Sequence, residues 1–353
     1  MTTRTPETTG AAAPPAAGGR IALWDNARLL LILLVVFGHC IEGIHGQQLV
    51  TTVYDVVFAF HMPAFLLVSG WFSRADRLDR RALIGTARLV ITWLIVEAAW
   101  IGIRFVLGEP PLHGDWLVVP SWTLWFLVSL FTMRLVLPYL ALLRAPMVAS
   151  LVVALTAGLA ASIGTPFSAS RTAALLPFFV LGWWLRRARV GEASWFLAPT
   201  ARTRAAAAAV FVLGVVAVLL VMRLPGFTNQ LLFWRRGYDQ MGLDPLGGML
   251  LRSAFLAIGV AMTLAVLVLV PRSGSRLSVI GRNTLPVYLL HGPVVDTMRQ
   301  THLDDAIGTL PASLLVMLAI AVLITGVTGS TPVARLMRPV VEPDAVFGRP
   351  TPA

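Results

Sequence analysis

An arginine and a histidine set eleven residues apart in one apolar run are the first chemistry this sequence offers. The run reads WDNARLLLILLVVFGHCIE over residues 24–42, with Arg28 near its start and His39 near its end. On an α-helix, eleven steps of about 100° return to within about 20° of the same direction, so both side chains share one face about 16–17 Å apart. Asp25 stands three residues before Arg28 and Glu42 three after His39, spacings at which helical side chains meet. Such a set suits group transfer. A guanidinium holds phosphate through forked donors, and an imidazole that titrates near neutrality takes a proton from a hydroxyl. A carboxylate beside the ring orients it and favours its charged form, whereas burial opposes that form. The same spacing is equally compatible with Arg28 anchoring the helix at an interface and His39 bonding a neighbouring helix.

Other polar side chains lie inside apolar runs, where ionisable groups are costly and point to a cavity or a partner. His61 sits within FHMPAFLLVSGWF (60–72), which ends in Ser69-Gly70-Trp71. Packing is the competing role for His61, and close approach of two helices for Gly70. Tyr288 and His291 share a face in GRNTLPVYLLHG (281–292), where Pro286 is expected to free backbone carbonyls that need partners in a bundle. Glu97 is expected to contact an arginine or histidine, and Arg134 and Arg252 are candidates to line the same polar interior. Trp234 and Tyr238 offer stacking faces for a sugar, although aromatic belts are ordinary at membrane interfaces. Cys40 follows His39 directly, but adjacent helical positions point about 100° apart, against a Cys–His nucleophile pair. No paired-cysteine spacing occurs, and His39, His61 and His291 have no readable mutual geometry, so no metal is expected. The absence of a phosphate-binding loop or dinucleotide fingerprint leaves ATP-driven pumping unsupported.

A membrane-embedded scaffold is needed to position these groups. Of 353 residues, 57% are hydrophobic and 13% charged, against about 45–50% and about 25% in soluble domains. One cysteine excludes a disulfide framework, and the net charge of +11 comes from arginines that punctuate apolar runs. That pattern fits orientation in a bilayer better than binding to nucleic acid. Lysine is absent, which excludes a lysine Schiff base.

The expected fold is all-α, a polytopic membrane bundle of about ten transmembrane helices. Candidate spans lie near 26–45, 52–73, 84–107, 121–141, 146–163, 172–186, 204–223, 247–270, 282–297 and 310–330. The first is read as a retained helix, because a cleaved leader needs an uninterrupted apolar stretch and this run carries Arg28, His39 and Glu42. Arginines cluster in alternate loops, which predicts cytoplasmic N- and C-termini. Residues 1–19 read as a disordered cytoplasmic tail, 20–332 as the transmembrane domain and 333–353 as a second cytoplasmic tail. The 108–120 segment, with His113, Asp115 and Trp116, is expected to form a short outer cap.

Four stretches, in order, resemble the acyltransferase-3 family of integral-membrane O-acyltransferases, in particular its fucose 4-O-acetylase-like branch. RIALWDNARLLLILLVVFGH (20–39) is similar to the family's first helix, with its Asp-x-x-Arg and Arg-x10-His pattern. FHMPAFLLVSGWF resembles the second helix, RRALIGTARL (80–89) the basic connector, and GRNTLPVYLLHG the late Tyr-Leu-x-His helix. Trp71 stands where Tyr or Phe is commoner, and Pro286 where a helix-compatible residue is usual. The resemblance implies His39 as catalytic base and Arg28 as the other essential member of the motif. It also implies a donor of acyl-coenzyme A, usually acetyl-coenzyme A, with no permanently bound cofactor, and a sugar, glycan or other hydroxylated acceptor.

The expected activity is therefore transfer of an acyl group from cytoplasmic acyl-coenzyme A to a cell-envelope hydroxyl, in a bacterial cytoplasmic membrane. His39 deprotonates the acceptor, Arg28 with Arg88 binds the donor's phosphates, and Tyr288 or His291 is a candidate oxyanion donor. Asp25, Glu42 and His61 are expected in support. The expected partners are acyl-coenzyme A, the acceptor and membrane lipid. A transporter or flippase also needs many helices and midplane polar groups, but no inverted repeat is visible and the polar groups concentrate in the first, second and ninth spans. A third reading, a non-catalytic member of an envelope complex, makes His39 dispensable.

Overall fold

In lipid, backbone amides are satisfied only inside helices or closed barrels. The computed structural model is helical, with no strand among its described residues. It describes residues 22–75, 80–106, 117–160, 163–224 and 229–343, together with 108, 115 and 227. The expected 1–19 tail, residues 344–353 of the second tail, residues 76–79 of the charged connector, and His113 and Trp116 of the cap lie outside the described residues.

Ten principal helices follow the ten apolar runs in order. They are α1 (Ala22–Ile41), α2 (Gln48–Trp71), α3 (Arg80–Val106), α4 (Trp125–Ala141), α5 (Pro146–Thr156), α6 (Ala169–Arg187), α7 (Ala201–Val221), α8 (Pro245–Leu269), α9 (Thr284–Gln300) and α10 (Ser313–Thr328). Five of them, α1, α2, α3, α7 and α8, are long and apolar enough to cross a membrane, and α4, α5 and α10 are apolar but shorter. The chain is an all-α, multi-pass membrane protein. α6 and α9 are the more polar pair, with arginines in their last turns.

Burial sorts the long helices. α2, α1 and α8 are 67%, 61% and 56% buried along their apolar windows, whereas α3 and α7 are only 28% and 17% buried. The first three form the interior, and α3 and α7 turn apolar surface outward. α2 is central, packing against α1, α6 and α8. Its contact with α6 is backbone on backbone: a Cβ on Gly182 would lie 1.9 Å from the Leu67 carbonyl oxygen, and one on Gly70 equally close to that of Phe179. Only glycine allows this approach, so the packing role for Gly70 is realised.

Two details differ from expectation. Pro286 does not break a helix: it lies in the first turn of α9, where its missing N–H has no intrahelical partner to lose. The break comes earlier, at Asn283, between the short helix Ser278–Arg282 and α9, and the Asn283 side chain donates to the Gly329 carbonyl at 2.9 Å. After α10, two short helices (Thr331–Leu336 and Arg338–Val341) return to the bundle, and the Thr92 hydroxyl of α3 donates to the Val340 carbonyl at 2.9 Å.

Candidate active site

His39 lies in the last turn of α1, and Glu42 follows one turn later, its amide still bonded to the Gly38 carbonyl at 3.1 Å. Continuing the helical path by that turn brings the Glu42 carboxylate back over the imidazole, and His39 Nδ1 lies 2.9 Å from Glu42 Oε2. From the last turn of α9, Arg299 Nη2 donates to the same oxygen at 2.8 Å and to the His39 carbonyl at 3.1 Å. The Arg299 guanidinium lies 4.3 Å over the Trp122 ring, and Trp122 meets the His39 ring edge-on with centroids 4.8 Å apart. Nδ1 thus donates to a carboxylate, which leaves Nε2 as the proton-accepting nitrogen. Burial alone would raise the pKa of Glu42, beyond the end of the α1 span. The hydrogen bonds and charges of His39 and Arg299 outweigh burial and hold it down at about 2.

The other sequence candidates take distinct places. The His291 ring lies 5.4 Å from that of His39. Its Nδ1 donates to the Tyr288 carbonyl at 2.7 Å, and its Nε2 is buried without a hydrogen-bond partner among the described residues. The Tyr288 hydroxyl donates to the Thr123 carbonyl, so it is already engaged. His61 is buried, with Nδ1 bonded to the Val57 carbonyl at 2.8 Å, and reaches His39 across the Phe58 ring. Among the described residues, no three His, Cys, Asp or Glu side chains form a metal-binding group.

Two cavities run along the Arg28–His39 face of α1. The larger, about 220 Å³, has Arg28 and Arg134 in its wall together with Ser69, Phe65, Phe126 and Tyr288. Arg28 Nη1 is 3.9 Å from Asp25, and its guanidinium lies 4.3 Å over the Phe72 ring. The smaller cavity, about 90 Å³, is walled by His39, Glu42, Trp122, Arg171, Trp234 and Arg235, among others. Met62 belongs to both walls. Arg88 is not in either wall, although its neighbour Leu89 lines the larger cavity.

Three expectations are corrected. Among the described residues Glu97 has neither an arginine nor a histidine for a partner; it accepts from the Ser121 hydroxyl, the Ser121 amide at 3.0 Å and Trp93 Nε1 at 2.9 Å. Arg252 does not join the cavities, because its guanidinium donates to the Ala154 carbonyl at 2.8 Å and caps Tyr238. Tyr238 is 1% exposed and ties its hydroxyl to the Leu155 carbonyl at 2.8 Å, so it presents no stacking face. Sequence reasoning missed Arg299 and Arg171, which it did not single out from the other arginines of the loops. The available signal for Arg299 was its place on the same helix as Tyr288 and His291.

The model of the acyltransferase-3 family, described as an acyltransferase domain, matches residues 21–327, a span that includes both cavities and the His39–Glu42–Arg299 cluster. The chain belongs to the acyltransferase-3 family. No curated protein and no solved structure matches it. This acyltransferase is a transferase of acyl groups other than aminoacyl groups, built on a multi-pass helical bundle. The Arg28 and His39 motif lies on a single helix of the acyltransferase, with a cavity at each end of the shared face.

Proposed function

We propose that this acyltransferase carries an acyl group, in the first instance acetyl, from acyl-coenzyme A at the Arg28 cavity to a sugar or glycan hydroxyl at the His39 cavity. The observation that carries the reading is Met62, the wall common to both cavities. A donor held at one end and an acceptor held at the other meet there. The arginine bias of the loops supports a cytoplasmic Arg28 end in a bacterial cytoplasmic membrane, on the side where acyl-coenzyme A is made.

Arg28 and Arg134 take the donor's phosphates, Arg134 replacing Arg88 as the second phosphate ligand in this reading. The apolar walls between Arg28 and Met62 suit the slender pantetheine arm, which places the thioester about 16–17 Å along α1 from Arg28. His39 Nε2 then takes the proton of the acceptor hydroxyl as its oxygen attacks the thioester carbonyl. The tetrahedral adduct collapses, the C–S bond breaks, and the leaving thiolate recovers the proton from His39. Ester and free coenzyme A are the products. Glu42, ionised throughout, stabilises the transient imidazolium, and Arg299 keeps Glu42 in place.

The test is incubation of purified protein in lipid nanodiscs with labelled acetyl-coenzyme A and extracted envelope glycans. The expected result is an acetyl ester on the glycan by mass analysis, with one coenzyme A thiol released per ester. Failure of the folded protein to consume any acyl-coenzyme A, whatever the acceptor, overturns the reading in favour of the transporter.

A further inference from the structure

The His39 cavity carries more positive charge than its own acid can balance. Arg171 and Arg235 both line it, and no carboxylate among the described residues pairs with either. Arg171 is anchored, its Nε donating to the Phe233 carbonyl at 3.2 Å while its guanidinium lies 4.6 Å over the Trp125 ring. Glu42 lines the same cavity, but its Oε2 is taken by His39 and Arg299. Arg171 is half-buried and Arg235 exposed, so the anion's gain is greatest at Arg171, where a second carboxylate or phosphate would offset the charge that Glu42 alone does not pair. Trp234 is an independent pointer. It lines the cavity at 4% exposure, yet its indole Nε1–H has no acceptor among the described residues. A buried donor left unmade costs free energy until something accepts from it.

We propose that the His39 cavity is an anion-recognition site, and that the acceptor carries a carboxylate or phosphate close to the hydroxyl that is acylated. This rests on the transfer reading above and names its acceptor class. The anion's oxygens accept from Arg171, Arg235 and Trp234 Nε1, while the sugar ring lies against the aromatic wall beside His39. The site is separate from the donor's phosphate site, because Arg28 and Arg134 line the other cavity, beyond Met62.

The test compares three probes on one sugar skeleton: methyl β-glucoside, methyl β-glucuronide and glucose 1-phosphate. Binding to full-length protein in nanodiscs is measured by calorimetry without donor, and acetyl transfer is measured separately with acetyl-coenzyme A. The expected result is binding at least about tenfold tighter for one or both anionic probes, as charge-assisted bonds require. Which probe wins separates carboxylate from phosphate. Arg235→Glu, at an exposed position, removes the preference, and Arg171→Lys, which keeps the charge but not the fork, narrows it. Equal binding of all three probes overturns the proposal. Weakened coenzyme A binding in Arg235→Glu, with probe preference unchanged, also overturns it and assigns the anion to the donor. Arginine-dependent anion binding with no thioester consumed upholds the anion site and removes the transfer reading instead.

Discussion

An imidazole acts as a base when one nitrogen is held and the other is left to accept, and in this acyltransferase Glu42 does the holding. His39→Ala is expected to lower transfer by about 10²–10⁴-fold, the range ordinary for a general base. Acetyl-coenzyme A binding and Tm should stay at wild-type values, read by calorimetry and thermal melting. Wild-type turnover in His39→Ala together with a dead His291→Ala would reassign the base to His291, whose Nε2 is buried without a hydrogen-bond partner among the described residues. Glu42→Gln keeps the shape of the side chain and removes its charge. It should lower kcat less than His39→Ala and leave KM for acetyl-coenzyme A unchanged, because Glu42 is at the far cavity from Arg28. The His39–Glu42 pair was legible in the sequence because both residues follow one helical path. Arg299 was not, since a contact between the ends of α1 and α9 leaves no periodic trace in either run.

At the scale of elements, the apolar runs named the helices because a span's length and composition are local properties. The expected sixth run and helix α6 agree within a few residues, even though Pro177 lies inside it. What the runs did not contain was which faces meet. Glu97 was assigned a charged partner on electrostatic grounds, whereas three N–H and O–H donors from Trp93 and Ser121 satisfy it equally well. The α2–α6 contact gives the element-scale prediction. Gly182→Ala puts a methyl group 1.9 Å from the Leu67 carbonyl oxygen, and only backbone movement can relieve that. The expected cost is about 1–3 kcal/mol or more, by analogy with overpacked cores. It would appear as a clear drop in Tm in detergent and as reduced yield. Arg28→Ala belongs here too, because Arg28 reads out one end of α1: acetyl-coenzyme A should bind more weakly, with Arg28→Lys restoring part of the affinity.

For the whole molecule, the alternating arginine loops predict a fixed orientation. Single-cysteine reporters in the 186–204 connection should label only from the cytoplasm, and reporters in 229–244 only from the opposite side. The native Cys40 is buried, so its background should be low. Labelling of 229–244 from the cytoplasm would remove the ten-span arrangement. Under the proposed reading, Met62, which lines both cavities, has a consequence for the cell's energy supply. A water-filled passage joining the two faces would conduct protons and discharge the electrochemical gradient at every turnover. A flexible thioether is the kind of stopper that yields to a thioester arm and closes behind it without admitting a continuous water chain. Met62→Gly liposomes carrying an imposed pH difference should therefore lose it faster than wild-type liposomes, as read by an entrapped pH-sensitive dye. Acyl traffic and proton insulation would then depend on one side chain.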